Sequence, residues 1–156
     1  MNKFILAIAT GLGTGYMKPA SGTWGTLPGV ALAVFFSALS PFNYLVCTVG
    51  LLFIGAWAAT AAEAHFGKKD AGQIVIDEVV GYLVTMFLIP VTFWNIVWAF
   101  FLFRFFDIVK FWPARQIDRA KSGGWSVMLD DVAAGIYANI ALQLLVALGW
   151  FGCGWN

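Results

Sequence analysis

The sequence predicts an all-α, polytopic membrane helical bundle of about five spans, with an interfacial helix at its N-terminus and its polar, active face toward the cytoplasm. Three observations carry that expectation. The chain is 61% hydrophobic and 11% charged, whereas a soluble domain carries about 25% charged residues. Its charges fall into three blocks, separated by uncharged stretches at 19–62, 79–103 and 132–156. Each stretch is long enough to cross a bilayer at least once, since a spanning helix needs about 20 residues. The net charge of +1 gives no argument for nucleic acid, and none is expected as a partner.

The elements follow in chain order. "MNKFILAIATGLG" places Lys3 before a short apolar run that breaks at Thr10 and Gly11. It mimics a signal peptide, but further hydrophobic spans follow, and a helix lying in the interface is the expected form. The stretch 19–62 is broken by "SPFN" at 40–43 and reads as a helical hairpin, with one span near 25–39 and another near 44–64. The stretch 132–156 reads as one span, with Asp130 and Asp131 at its start.

The stretch 79–103 allows either one long span or a turn at "LIPVTFWN" (88–95) between spans near 74–89 and 94–111. A single span would put Arg104, Lys110, Arg115, Arg119 and Lys121 across the membrane from Lys68 and Lys69. The hairpin gathers all three charge blocks on the cytoplasmic side and leaves the opposite loops uncharged, as the positive-inside rule prefers. Seven of the eight tryptophans agree: Trp94, Trp98, Trp150 and Trp155 fall at the outer surface, Trp24, Trp112 and Trp125 near the inner one, and Trp57, inside the second span, is the exception. The hairpin also draws Asp77, Glu78, Arg104 and Asp107 to the cytoplasmic edge of the hydrocarbon. An unpaired charge there costs about 2–3 kcal/mol, so these groups require a partner, a metal or a water-filled cavity.

Asp70, Asp77, Glu78, Asp107, Asp118, Asp130 and Asp131 all fall on this one face. Hard oxygen donors without a Cys/His cluster point to Mg²⁺ or a similar cation. Neither Cys47 nor Cys153 belongs to a CxxC pattern, and His65 has no ligand partner at metal spacing, so it reads as structural. Arg104, Lys110, Arg115, Arg119 and Lys121 interleave with the acids. Carboxylates for a metal beside cations for phosphate suit phosphoryl transfer. Plainer readings stand beside this one. Asp77 and Glu78 suit a helix start, Arg104 and Asp107 a helical ion pair, and Asp130 and Asp131 an N-cap. "GLGTGYMKPASGTWGTLPG" (11–29) and "KSGGWS" (121–126) suit either a phosphate cradle or turns at the membrane surface.

At these residues the sequence resembles the phosphatidylglycerophosphatase A family of bacterial inner-membrane enzymes. The N-terminal glycine-rich block is similar at Pro19 to Gly25. "DAGQIVIDEVVGYLV" resembles the family's Gly-x-Ile-Val-x-Asp-Glu-x-x-Gly, here Gly72 to Gly81. "FRFFDIVKFWPARQIDRAKSGGWSVMLDDVAAG" is similar to its longest block. Phe111 and Ala71 stand where the family favours proline.

The resemblance implies Mg²⁺-dependent hydrolysis of the terminal phosphate of phosphatidylglycerophosphate, a phospholipid made and used in the membrane. On that reading Asp77, Glu78, Asp107, Asp130 and Asp131 are expected to bind metal and activate water. Arg104, Lys110, Arg115 and Arg119 would neutralise phosphate oxygens, and Thr23 would close over the headgroup. Attack by water and an aspartyl-phosphate route both remain open at this point. Three other classes compete, of which a purely structural membrane subunit leaves the clustered acids unexplained. A CDP-alcohol-type phospholipid transferase needs an Asp-Gly pair that this chain lacks. A small membrane transporter would place its carboxylates near the bilayer midplane.

Overall fold

The computed structural model of the chain describes residues 2–69, 71–109 and 123–150. Its elements are α1 (Lys3–Ala9), a 3₁₀ turn (Thr14–Tyr16), α2 (Ser21–Phe36), α3 (Pro41–Phe66), α4 (Ile76–Met86), α5 (Phe93–Val109) and α6 (Gly123–Ala147). No strand occurs among the described residues.

Local chemistry sets several of these ends. Ser40 accepts a hydrogen bond from the Asn43 N–H at 3.3 Å, Pro41 opens α3, and Gly67 closes it at φ 64°. Thr92 Oγ1 accepts from the Asn95 N–H at 3.2 Å at the start of α5. The break at 87–92 divides the third hydrophobic stretch into two helices, as the hairpin reading expects.

Two helices, α3 with 26 residues and α6 with 25, are long and apolar enough to cross a membrane. At 1.5 Å per residue they reach about 37–39 Å, past a hydrocarbon core of about 30 Å. The 16 residues of α2 are apolar but shorter.

The span expected near 74–89 is different from its prediction. Its helix, α4, has 11 residues, or about 16 Å, too short to cross alone. The reason lies in its surroundings. Nine of those 11 residues are buried, with α2, α3, α5 and α6 packed around them. A helix enclosed by protein can end inside the bundle if side chains satisfy its terminal carbonyls. Tyr44 donates its hydroxyl to the Leu83 carbonyl at 2.8 Å, and Asn139 Nδ2 donates to the carbonyls of Thr85 and Phe87, each at 2.8 Å. Replacing Asn139 with alanine strands two carbonyls, so unfolding in detergent micelles is expected to become easier by about 1–3 kcal/mol. An unchanged melting temperature would show that water or neighbouring groups meet the same need.

The last span starts earlier than predicted. Because α6 begins at Gly123, Asp130 and Asp131 lie about two turns inside it rather than capping it. The glycine stretches are helical only in part: residues 11–20 form turns on either side of the 3₁₀ turn, as the turn reading expects, whereas 123–126 open α6. Residues 21–29 belong to α2, and Gly25 and Gly29 let that helix lie directly on Val75, Val79 and Tyr82. Gly124 does the same for α6, since a Cβ there would stand 2.6 Å from the Ala56 carbonyl of α3. These glycines are there for close helix packing.

The threonine hydroxyls are satisfied locally. Thr10, Thr26, Thr48, Thr60 and Thr85 each donate to the carbonyl four residues earlier, which hides the hydroxyl within its own helix. The exterior is apolar. Phe53, Phe101, Phe105, Ile108, Ile140 and Leu144 each expose more than half of their surface. Water would penalise such a surface and lipid would not, which marks the protein as membrane-associated.

The charge-bearing segments meet at one end of the bundle. The Val75 N–H donates to the Ala9 carbonyl at 2.9 Å, and the Gly124 N–H donates to Thr60 Oγ1 at 3.2 Å. These bonds set the starts of α4 and α6 beside the ends of α1 and α3.

Candidate active site

The site is built where α4, α5 and α6 cross. Gly81 is four residues after Asp77, and Gly135 is four after Asp131. Residues at that spacing share one helical face, so each glycine sits a turn below a carboxylate. At Gly135 a Cβ would strike the Gly81 carbonyl oxygen, and at Gly81 it would stand 2.5 Å from the Phe103 ring and 2.9 Å from the Asp131 carbonyl. The missing side chains therefore let the three helices touch. That contact brings Asp131 of α6 to the first turn of α4 and sets Arg104, which follows Phe103, against Glu78.

The result is a buried acidic centre. One carboxylate oxygen from each of Asp77, Glu78 and Asp131 lies within 4.8 Å of the others. Asp77 and Asp131 are buried, and the Glu78 side chain is 13% exposed. Asp77 and Glu78 occupy the first turn of α4, where the helix dipole favours anions. So the plain helix-start reading holds for this pair, which at the same time forms two thirds of the acidic trio.

Arg104 Nη1 lies 2.8 Å from Asp107 Oδ2 and 3.9 Å from Glu78 Oε1. The predicted helical ion pair of Arg104 and Asp107 therefore forms, and it faces the centre. Asp107 and Asp130 surround Asp131 together with Asp77, and Asp130 is itself buried. Asp130 stands outside the close trio, because consecutive helical residues point about 100° apart.

The charge balance asks for a cation. Five carboxylates (Asp77, Glu78, Asp107, Asp130 and Asp131) face one guanidinium among the described residues. Glu78 Oε2 and Asp131 Oδ2 are buried with no hydrogen-bond partner among the described residues. Buried carboxylate oxygens of this kind are expensive unless a cation meets them. Asp77, Glu78 and Asp131 could hold a metal ion on these grounds, and their donor set is the hard, all-oxygen kind.

Lys110, Arg115 and Arg119 lie outside the described residues, as do Lys121 and the acids Asp70 and Asp118. Thr23 sits half-buried in the first turn of α2, next to the residue that touches the centre. That residue, Gly22, was legible only as one glycine among many. A Cβ there would come within 2.5 Å of Glu78 Oε1 and 2.9 Å of Arg104 Nη2. The start of α2 thus abuts the acids, and its N-cap Ala20 supplies no side-chain acceptor. His65 takes no part in the trio, and its ring packs edge-on against Phe66.

An apolar bundle with carboxylates and an arginine gathered at one end, beside an uncapped helix N-terminus, carries the groups that phosphoryl transfer at a lipid surface needs. The comparisons with known proteins give the family. The chain belongs to the phosphatidylglycerophosphatase A family, whose model matches residues 7–146. It is 41% identical over 137 residues to a phosphatidylglycerophosphatase A of Haemophilus influenzae, covering 86% of this chain and 84% of the relative. It is 32% identical over 130 residues to a phosphatidylglycerophosphatase A of Escherichia coli, covering 83% of this chain and 76% of that one. A putative phosphatidylinositol-3-phosphatase of Bacteroides thetaiotaomicron is 38% identical over 145 residues, covering 88% and 90%. No solved structure matches at a significant level. With the family in place, the transporter and transferase alternatives are not favoured.

Proposed function

We propose that this enzyme hydrolyses the terminal phosphomonoester of phosphatidylglycerophosphate, giving phosphatidylglycerol and phosphate, with Mg²⁺, at the cytoplasmic face of the bacterial inner membrane. The observation that carries this reading is the buried trio of Asp77, Glu78 and Asp131 beside Arg104, at one end of a lipid-compatible bundle. The relatives' names supply the substrate.

Asp77, Glu78 and Asp131 would hold the ion, which fits the buried, unpartnered Oε2 of Glu78 and Oδ2 of Asp131. When bound, the ion supplies positive charge that polarises the phosphate and makes water a better nucleophile. Arg104 neutralises phosphate oxygens as charge builds, and Asp107 keeps its guanidinium aimed. At the start of α2 the Thr23 N–H is already held by the Ala20 carbonyl at 3.0 Å, so the Ser21 and Gly22 N–H groups are the ones that would donate to the same phosphate. Asp130 supports Asp131 from the same helix. Lys110, Arg115 and Arg119 would add charge from the segment between α5 and α6. The acyl chains remain among the apolar helix faces while the headgroup meets the charged end.

A second reading rests on the Bacteroides relative, whose printed name points to an inositol lipid phosphate. One assay separates them. Purified protein is given phosphatidylglycerophosphate or phosphatidylinositol 3-phosphate in mixed micelles, with Mg²⁺ or with EDTA. Release from the glycerol lipid that EDTA removes and Mg²⁺ restores supports the first reading. Faster release from the inositol lipid would replace it, and release indifferent to EDTA would remove the metal.

The orientation of the α4–α5 hairpin, with its turn at 87–92 away from the cytoplasm, belongs to the same proposal. Thr92 caps α5, so exposed Val91 is the better probe position. In a chain with Cys47 and Cys153 replaced by serine, Val91→Cys is expected to react with an impermeant reagent from the periplasmic side. Reaction only from the cytoplasm would invert the arrangement.

A further inference from the structure

A cleft of ≈ 730 Å³ lies beside the acidic centre, between residues 15–21 and the segment that links α3 to α4. Lys18 and Lys68 line it, with Ser21 and Gln73 as polar neighbours. No acidic residue lines it among the described residues; Asp70, near Lys68 in sequence, lies outside them. The two lysines come from different segments, so their convergence is tertiary. Neither has a role in the centre described above.

The position of the cleft is informative. Ser21 lines it, and the next residue, Gly22, faces Glu78 and Arg104. Adjacent Cα atoms are about 3.8 Å apart, so the cleft and the acidic centre flank one turn of α2. Lysine ammonium groups bind phosphate as point charges, and the uncapped start of α2 adds partial positive charge.

We infer that this cleft is a second anion subsite, which takes the phosphodiester of a lipid whose terminal phosphomonoester lies at the carboxylate centre. The inference rests on the phosphatase reading above and deepens it. Lys18 and Lys68 would hold the link between diacylglycerol and headgroup, and so select a substrate with two phosphates a glycerol apart. A lipid with only a monoester leaves the cleft unused.

The deciding experiment needs no turnover. Glycerophosphoglycerol, the soluble diester headgroup, is titrated into the detergent-solubilised protein in EDTA, with inorganic phosphate in a parallel titration. The wild-type chain binds the diester, the pair Lys18→Ala and Lys68→Ala weakens that binding about tenfold, and the pair Lys18→Arg and Lys68→Arg retains most of it. No binding by the wild type, or equal binding by the alanine pair, overturns the subsite. Equal affinity for inorganic phosphate, lost alike in high salt, shows generic surface attraction and also overturns it. In turnover with Mg²⁺, the alanine pair lowers selectivity for phosphatidylglycerophosphate over phosphatidic acid about tenfold, read as the ratio of kcat/KM. Unchanged selectivity refutes the subsite. A wild-type protein that binds the diester but releases no phosphate overturns the phosphatase reading instead.

Discussion

Asp131→Asn is expected to lower Mg²⁺-dependent phosphate release by about a thousandfold while leaving the protein folded. Asparagine keeps the shape of the side chain and one oxygen, but it removes the charge from the position where α6 meets α4. Asp131 is buried beside Asp77, Asp107 and Asp130, so like charges crowd it. Removing one of several crowded buried carboxylates relieves repulsion, and replacing buried charge by neutral groups is often neutral or stabilising. The expected signature is therefore lost activity with an equal or higher melting temperature in EDTA. The wild type should gain stability on adding Mg²⁺, since a ligand that binds only the folded state stabilises it. The variant should gain much less. Full activity in the variant, or the same Mg²⁺-dependent rise in melting temperature, would remove Asp131 from the metal site.

Gly22→Ala is expected to reduce activity by about ten- to a hundredfold with little change in stability. The added methyl would crowd Glu78 Oε1 at 2.5 Å and the Arg104 guanidinium at 2.9 and 3.0 Å. Both neighbours are the ends of flexible side chains and can move aside. Moving them displaces a metal-binding oxygen and the phosphate-facing cation together. Gly135→Ala makes the contrast. There the methyl would meet the Gly81 backbone carbonyl, which cannot rotate away. Stability should then fall by about 1–3 kcal/mol through overpacking. The two variants separate a site defect from a packing defect. Wild-type kcat and KM in Gly22→Ala would show that α2 does not border the reaction.

Much of this was legible beforehand, for identifiable reasons. Low charge and long apolar stretches determined an all-helical, membrane-associated protein, because backbone groups in lipid must be satisfied within the segment. Positive-inside bookkeeping chose a break at 88–95, and the helices do part at 87–92. Asp77, Glu78 and Asp131 were legible as acids too costly to leave unpaired in such a chain. The positions of glycine one turn beyond Asp77 and Asp131 were legible as motif letters, although their purpose was not.

What misled the sequence reading was equally physical. Asp130 and Asp131 look like a cap because charge normally marks the edge of a span. Here the α6 helix continues outward past them to Gly123, since its first turns pack on α3 through Gly124. The third span looked long enough because hydropathy counts apolar residues on both sides of a break. Tyr44 and Asn139, remote in sequence, supply the donors that let α4 stop at Met86.

By itself, then, the sequence determined the solvent this protein lives in and the chemistry of its polar end. Composition and charge order suffice for that, because transfer between water and lipid depends on residue type more than on neighbours. Only the tertiary structure decided which acids meet, that Gly22 borders them and that Lys18 and Lys68 share a cleft. Those are contacts between segments far apart in the chain, and their distances depend on helix crossings that close approach at Gly25, Gly29, Gly81 and Gly135 makes possible.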